Sequence, residues 1–216
     1  MSSVGDAHGD DRPGSPNRFT RLVGCRVPLQ LAAMGGVSTA PLAGAVAAAG
    51  GLGMLAAALV GADELARRID EARMIGGPAG RVGVGFLMPF LDREAFETAA
   101  TRAAVVECFY GPPDAELVAA VHSGGARAAW QVGSLDEARA ALDADCDLVV
   151  VQGVEAGGHV HGSRALDELL ADVRAETDRP LVAAAALYAG RSVDAVTGPA
   201  TAAEIVAEFA SILSRV

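Results

Sequence analysis

Aromatic side chains are scarce in this sequence, at 4% of its 216 residues. The cores of all-β sandwiches are rich in aromatic strand residues, so this scarcity argues against that class. Alanine and glycine dominate instead, and they suit helices packed closely on a sheet. Apolar residues make up 51% of the chain, which is enough for a sizeable core and argues against wholesale disorder.

Cysteine is also rare, and its three copies, Cys25, Cys108 and Cys146, are widely spaced. They form no CxxC pair, so the spacing argues against the disulfide framework of small secreted domains. We predict that each is a small buried apolar residue in a protein of a reducing compartment.

The sequence has neither an excess of positive charge nor a long apolar run. Its formal net charge is -10, which repels phosphate backbones and predicts no nucleic-acid partner. Residues 42–60 come nearest to a membrane span, but Gly50, Gly51 and Gly53 interrupt them. Residues 1–18 lack the apolar segment of a signal peptide and predict a flexible tail. The expected location is the cytoplasm, with no membrane contact.

Short apolar runs alternate with segments of helical pattern along the chain. The predicted strands span residues 27–33, 52–58, 81–87, 104–109, 126–132, 147–152 and 180–185. The predicted helices span residues 40–49, 63–75, 93–102, 115–123, 135–143, 166–176 and 200–213. Asp92 is an expected N-cap, and Ser134 with Glu137 fits a capping box. Seven strands joined by helices predict a parallel sheet.

The predicted fold class is α/β, with one barrel-like domain over residues 19–216. A closed (β/α)8 barrel typically takes about 250 residues. Only 30 residues follow Ala186, too few for a helix, an eighth strand and a final helix. We therefore predict a TIM-barrel-like parallel (β/α) fold that is incomplete, with about seven strands and the last β/α unit missing. Its open sheet edges would favour self-association.

The most informative stretch is the loop that follows the predicted strand over residues 147–152. Gln152 ends that strand, and the loop then carries Gly157, Gly158, His159 and His161. Barrel enzymes place their chemistry on such loops, and glycine lets a backbone approach a ligand closely. Histidine exchanges a proton near neutral pH, so His159 is the candidate general base. A His-x-His pair without a third ligand predicts no metal site.

Two further positions allow both a binding and a structural interpretation. Met34 and Gly35 precede a helix and could bring backbone N–H groups against a flat or anionic ligand. The same residues could form a strand-to-helix turn with Ser38 or Thr39 as the N-cap. Glu155 could act as an acid or base, or it could brace its loop.

Five short motifs between Val27 and Ala184 belong together. They are Ala33-Met34-Gly35-Gly36, Ala49-Gly50-Gly51-Leu52-Gly53, Phe86-Leu87-Met88-Pro89, Trp130-Gln131-Val132-Gly133-Ser134 and Gln152-Gly153-Val154-Glu155-Ala156-Gly157-Gly158-His159. With them the chain resembles the nitronate monooxygenase family, formerly called 2-nitropropane dioxygenases. These are FMN-dependent barrel proteins related to the FMN-type enoyl-ACP reductases.

The resemblance implies an FMN-dependent oxidoreductase that uses O2 to convert alkyl nitronates into a carbonyl compound and nitrite. It implies that His159 faces the substrate over the flavin, acts as a base toward neutral nitroalkanes and orients the nitronate. The implied cofactor-binding residues are Met34, Gly35, Gln152, Gly157 and Gly158.

Two departures from the family pattern leave alternatives open. Gly85 stands where many members carry an Asn that touches FMN. Near residues 184–187 the sequence resembles a member with an internal deletion, so the segment that binds the FMN phosphate is expected to be missing. One alternative is therefore a non-catalytic truncated barrel remnant that has lost stable FMN binding. Another is a relative of the enoyl-ACP reductases, for which the sequence offers no nicotinamide site.

Overall fold

Helices and strands alternate along the described chain, as the hydrophobic pattern predicts. The structure, a computed structural model, describes residues 17–157, 160–184 and 200–213. The helices are α1 (Arg18–Val23), α2 (Ala40–Ala49), α3 (Ala62–Gly76), α4 (Arg93–Arg102), α5 (Ala115–Gly124), α6 (Leu135–Asp143), α7 (Leu166–Glu176) and α8 (Ala202–Leu213). The strands are β1 (Leu52–Ala56), β2 (Arg81–Leu87), β3 (Val105–Phe109), β4 (Arg127–Val132), β5 (Leu148–Gln152) and β6 (Leu181–Ala184).

The six strands form one sheet, in the order in which they occur along the chain. Every neighbouring pair is parallel, and a helix lies between consecutive strands in the chain. Sequential parallel strands joined by helices are the architecture of a TIM barrel. The predicted fold class is therefore confirmed as an incomplete barrel, although the described residues contain six strands rather than seven.

Apolar side chains form separate cores on the two faces of the sheet, because successive strand residues point in opposite directions. The outer core lies between sheet and helices and includes Val84, Val106, Val149, Leu65 and Leu169. The inner core lies on the concave face and includes Met54, Val105, Ala129, Leu148 and Val150. The inner core is the filling expected of a barrel interior.

Helix α1, which the sequence did not predict, closes the amino-terminal end of the inner core. Phe19 and Val23 are buried in the same cluster as Leu52, the first residue of β1. Arg18 Nη1 lies 2.7 Å from Asp178 Oδ1, just before β6. The helix therefore spans from the first strand to the last. The predicted boundary between tail and domain stays a prediction, because residues 1–16 lie outside the described part.

The predicted strand over residues 27–33 is wrong as a full strand. It makes a single parallel bridge, between Gln30 and Leu52 of β1. Pro28 has no N–H to donate, and the carbonyl of Ala32 accepts a hydrogen bond from a loop side chain rather than from β1. Residues 27–33, called the first segment below, thus occupy the place of a barrel's first strand without forming a ladder.

The other predicted elements are confirmed to within about two residues, and their caps explain why. Asp92 Oδ1 accepts the Ala95 N–H at 2.9 Å at the start of α4. Ser134 Oγ accepts the Glu137 N–H at 3.2 Å at the start of α6. The Glu137 carboxylate departs from a regular capping box, because it accepts the N–H of Gly133 rather than that of Ser134.

Helix α8 follows β6 in the chain yet packs against α2. The last helix of the described chain therefore returns to the helix that follows the first segment, as a final barrel helix does. The stretch between β6 and α8 is where the sequence predicts the internal deletion. Residues 185–187 of that prediction lie outside the described residues.

The scarce features of the sequence have structural counterparts. All three cysteines are free and buried, as predicted, and burial raises the pKa of the Cys25 thiol to about 11. Within residues 17–157, 160–184 and 200–213, each helix is too short or too polar to cross a membrane. The cytoplasmic location stays a prediction.

We expect Gly53→Ala to destabilise the fold by about 1–3 kcal/mol, the usual cost of overpacking a core. Helix α2 crosses β1 so closely that a Cβ on Gly53 would overlap the carbonyl oxygen of Ala43. Gly61→Ala is the matched control, since a Cβ there meets nothing within 4 Å. Urea denaturation should show the loss in the first variant and no loss from overpacking in the control.

Candidate functional site

Two loops that the sequence singles out follow the carboxyl ends of the first segment and of β5. The first loop, residues 32–39, joins the first segment to α2. The second loop, residues 153–165, joins β5 to α7. The carboxyl ends of parallel strands meet at one edge of a sheet, so both loops lie at the edge where barrel proteins bind ligands.

The first loop is closed by Ser38 and open at its glycines. Ser38 Oγ donates to the Ala32 carbonyl at 2.6 Å and accepts the Met34 N–H at 2.9 Å. Gly36 has a φ of +75°, which favours glycine. A Cβ on Gly35 or Gly36 would meet no atom within 4 Å. The backbone at these glycines therefore faces open space at the amino end of α2.

The sequence offered Ser38 or Thr39 as the N-cap of α2, and the structure separates their roles. Thr39 is the cap, with Oγ1 3.5 Å from the N–H of Leu42. Ser38 holds the loop instead. The turn interpretation is thus confirmed without removing the binding one, because the glycines stay uncovered.

Gln152 fastens the second loop to the end of β5. Its side chain is buried, and its Oε1 accepts the backbone N–H of His161 at 3.0 Å. The loop therefore leaves β5 and returns over the strand end at His161. Gly157 is exposed within it, whereas Gly158 and His159, the predicted catalytic residue, lie outside the described residues.

His161 is held on the side of β4. Its Nε2 lies 2.6 Å from Glu137 Oε1, and the other carboxylate oxygen, Oε2, accepts the Gly133 N–H at 2.7 Å. The ring of Tyr110 packs edge-on against the imidazole at 5.3 Å. A Cβ on Gly133 would crowd the Gly162 backbone, so the second loop lies directly on the end of β4.

Glu155 is exposed and braces the second loop. Its Oε2 accepts the backbone N–H of Leu166 at 3.0 Å, at the start of α7. Helix α7 has no side-chain cap of its own at Ala165, so Glu155 supplies the missing acceptor and its charge suits the helix amino end. The structural interpretation of Glu155 is confirmed.

A buried polar pair that sequence reasoning missed lies inside the barrel. Glu107 is on the inner face of β3 and is 5% exposed. Its Oε2 accepts a hydrogen bond from Gln30 Nε2 in the first segment at 2.5 Å. The other amide atom, Gln30 Oε1, is buried and has no partner in the described structure. Across the ladder Glu107 faces only Gly85 and Ala129.

Burial raises the pKa of the Glu107 carboxyl from 4.5 to about 7, and the hydrogen bond from Gln30 opposes part of that rise. Desolvation penalises the charged form, and the bond from Gln30 is the single favourable contact offered to it. A buried carboxyl with a strongly raised pKa is a candidate for a functional role.

The signals for these missed residues are present in the sequence, although weak. Glu107 is the single charge in the apolar run Val105–Phe109. A carboxylate in a strand buried on both faces needs a partner, yet nothing local identifies Gln30 as that partner. His161 likewise lacks any local sign of Glu137.

A sequence profile described as nitronate monooxygenase matches residues 17–80 and 81–210. That is most of the chain. The protein belongs to the nitronate monooxygenase family. The predicted family is therefore confirmed, and its barrel fold agrees with the observed sheet.

Curated relatives carry different names within this family. One, 33% identical over 181 residues, is the (3aS,4S,5R,7aS)-5-hydroxy-7a-methyl-1-oxo-octahydro-1H-indene-4-carboxyl-CoA dehydrogenase of Mycobacterium tuberculosis; the match covers 82% of this chain and 50% of the relative. Another, 30% identical, is a nitronate monooxygenase of Pseudomonas aeruginosa, with 83% and 64% covered. The chain thus spans between half and two thirds of these relatives. The second alignment extends over 228 positions, more than the 216 residues of this chain, so that relative has residues within the aligned region that this chain lacks.

Solved structures agree with the fold. A FabK variant from Thermotoga maritima superposes with a TM-score of 0.73 at 26% identity, over 88% of this chain and 61% of that one. The nitroalkane oxidase from Streptomyces ansochromogenes superposes with a TM-score of 0.65 at 29% identity, over 76% and 59%. This chain therefore matches only part of the length of each of these two structures.

The predicted site residues that are described lie at one edge of the sheet. Met34 and Gly35 are on the first loop, and Gln152 and Gly157 are at the start of the second. Their contact with a cofactor stays a prediction. Among the described residues, no cluster of His, Cys, Asp and Glu side chains has the composition of a metal site.

We expect Glu107→Gln to remove a pH dependence of stability. The folded protein keeps a proton, with a pKa of about 7, that the unfolded chain releases above about pH 4.5. Unfolding therefore becomes easier as pH rises through this window, by about 3 kcal/mol in all. In urea denaturation the variant should match the wild type near pH 4.5 and exceed its stability by that amount near pH 8.

Glu97→Gln, on the exposed surface of α4, makes the same chemical change without burial and serves as the control. It should keep the wild-type slope of stability against pH. If Glu107→Gln also kept that slope, a neutral buried Glu107 would be contradicted.

Proposed function

We propose that this protein is an FMN-dependent oxidoreductase that oxidises alkyl nitronates with O2 to a carbonyl compound and nitrite. The observation that carries the proposal is that two glycine-bearing loops follow carboxyl ends on the same edge of one parallel sheet. One loop presents the uncovered glycines Gly35 and Gly36. The other, fastened by Gln152, carries His159. The type of reaction is proposed from membership of the nitronate monooxygenase family.

The described residues fit the ring system of a flavin. Gly35 and Gly36 leave room for a flat group beside the amino end of α2, where a helix favours electronegative atoms. We assign no residues to the phosphate end of FMN. The predicted deletion, near residues 184–187, extends into residues 185–199, which the structure does not describe.

When bound, FMN would supply the two-electron chemistry between substrate and O2. The protein would supply placement and proton transfer. Met34, Gly35 and Gln152 would hold the cofactor, with Gly157 and Gly158 beside it. His159 would remove a proton from a neutral nitroalkane and then orient the nitronate.

A second candidate function is oxidoreduction of an acyl thioester, as the names of the dehydrogenase and the FabK neighbour suggest. An exposed apolar rim favours it. Met34, Val37, Leu59 and Phe90, which follow the first segment, β1 and β2, are each at least 45% exposed. Such a rim suits a bulky apolar substrate better than a small nitronate.

The visible spectrum with added FMN tests the proposal first. We expect a yellow protein that releases nitrite from an alkyl nitronate under air. Oxidation of a reduced nicotinamide with an enoyl thioester, without nitrite, would favour the second candidate. A colourless protein with no measurable FMN affinity would refute both and identify a barrel remnant without cofactor.

We expect His159→Ala to lose most turnover of a neutral nitroalkane and less of the turnover of a preformed nitronate, because the second substrate needs no deprotonation. His122→Ala is the control, since His122 pairs with Asp147 just before β5, at the opposite edge of the sheet. Steady-state nitrite release with both substrates measures the effect. Equal losses with the two substrates would argue against His159 as the base.

A further inference from the structure

The first loop depends on a segment that the sheet holds weakly. The first segment makes one bridge to β1, whereas β1 through β6 are each held by ladders of four or five residue pairs. Among the described residues, its backbone bonds toward the sheet are limited to β1 and to Gly50 nearby: Leu31 N–H to the Leu52 carbonyl, Leu52 N–H to the Leu29 carbonyl and Val27 N–H to the Gly50 carbonyl. The side-chain bond from Gln30 to Glu107 ties the segment to β3 as well. The first loop begins at Ala32, two residues after Gln30.

The inner side of this segment is fitted closely to the sheet. A Cβ on Gly85, the β2 residue opposite Glu107, would overlap the Cβ of Ala33. A shift of Gln30 would therefore move Ala33 against β2, and with it the Met34 and Gly35 backbone. Gln30 and Ala33 together fix where the first loop stands.

The Gln30–Glu107 contact differs between the two protonation states of the acid. An ionised Glu107 can only accept, so it leaves Gln30 Oε1 unpaired, as it is among the described residues. A neutral Glu107 has an O–H that can donate to this acceptor while the Gln30 N–H still donates to the acid. An acid and a primary amide then share two hydrogen bonds instead of one.

Among the described residues, no charged group shifts the pKa of Glu107, which burial raises and the bond from Gln30 lowers. Gly85 and Ala129 face it across the ladders, and Gln30 is its one hydrogen-bond partner in the described chain. The nearest titratable neighbour in sequence, Cys108, belongs to the outer core, and burial raises the pKa of its thiol.

We propose that Glu107 is a positioning residue for the first loop, acting through Gln30, and that one proton on Glu107 determines how tightly this loop holds the flavin ring. The neutral pair fixes the loop, and the ionised pair loosens it. This inference rests on the proposed function for the identity of the ligand. The Gln30–Glu107 contact, called the latch below, is present in the protein without ligand.

Two measurements on the full chain test the latch, one with FMN and one without. We expect FMN affinity, followed by flavin fluorescence quenching, to fall about tenfold from about pH 6 to about pH 8. In the protein without FMN, hydrogen-exchange protection of the Met34, Val37 and Ser38 amides should fall over the same range after correction for intrinsic rates. Glu107→Gln, which keeps an amide pair without a titratable proton, should flatten both curves.

An exchange of the two residues provides a rescue. The double variant Gln30→Glu with Glu107→Gln restores an acid–amide pair in the same place, so both pH dependences should return. Glu97→Gln should behave as the wild type. If Glu107→Gln fails to fold, the double variant is compared with Gln30→Leu, which removes the amide. The double variant should keep both pH dependences, and Gln30→Leu should lose them.

Failure of the proposed function and failure of the latch give different results in these experiments. Absence of FMN binding at every pH would sink the proposed function, while the exchange curves still decide on the latch. Wild-type pH dependence of loop protection in Glu107→Gln, or a flat profile in the wild type itself, would overturn the inference.

Discussion

The hydrogen bond from Gln30 Nε2 to Glu107 Oε2, 2.5 Å long, spans the inside of the sheet. The first segment pairs with β1, and β2 lies between β1 and β3. Neighbouring strands are about 4.8 Å apart, so three steps on a flat sheet would separate these backbones by about 14 Å. The two side chains meet because the sheet curls. The inner core requires that curl, and so do the contacts of α1 with both β1 and the residues just before β6.

The curl explains why a carboxyl at this position has no water to solvate it. An apolar residue on β3 would bury without a desolvation cost, whereas Glu107 must find a partner or keep its proton. Natural sequences depart from the apolar rule mainly at functional sites. The position of Glu107 beside the segment that leads into the glycine loop agrees with that rule.

Local patterns predicted most of the fold. Hydrophobic periodicity, helix caps and glycine breaks in the sequence identified β1 to β6 and α2 to α8. These signals are local; the caps Asp92 and Ser134, for example, bond to residues only three positions away. The first segment was overestimated, since its apolar run reads as a strand while Pro28 and the Ser38 loop limit it to one bridge. Helix α1 was missed because its six residues are too few to show a helical hydrophobic periodicity.

The site was predicted in part for the same reason. Gly35 and Gln152 could be predicted because each lies in or next to a glycine-rich loop. The partners of Gln30 and His161 lie 77 and 24 residues away in sequence, and they meet only after the sheet has curled. Nitronate monooxygenase family membership adds a chemical context to these contacts, while Glu107 is a feature that the motifs of the resemblance do not contain.

The packing of α8 on α2 has a consequence for biosynthesis. These helices are separated by more than 150 residues in the chain, so their contact cannot form until the six described strands have been synthesised. Until residues 202–213 leave the ribosome, the face of α2 that α8 covers remains exposed to solvent. Distant contacts of this kind slow folding and prolong the time in which chains stick to one another.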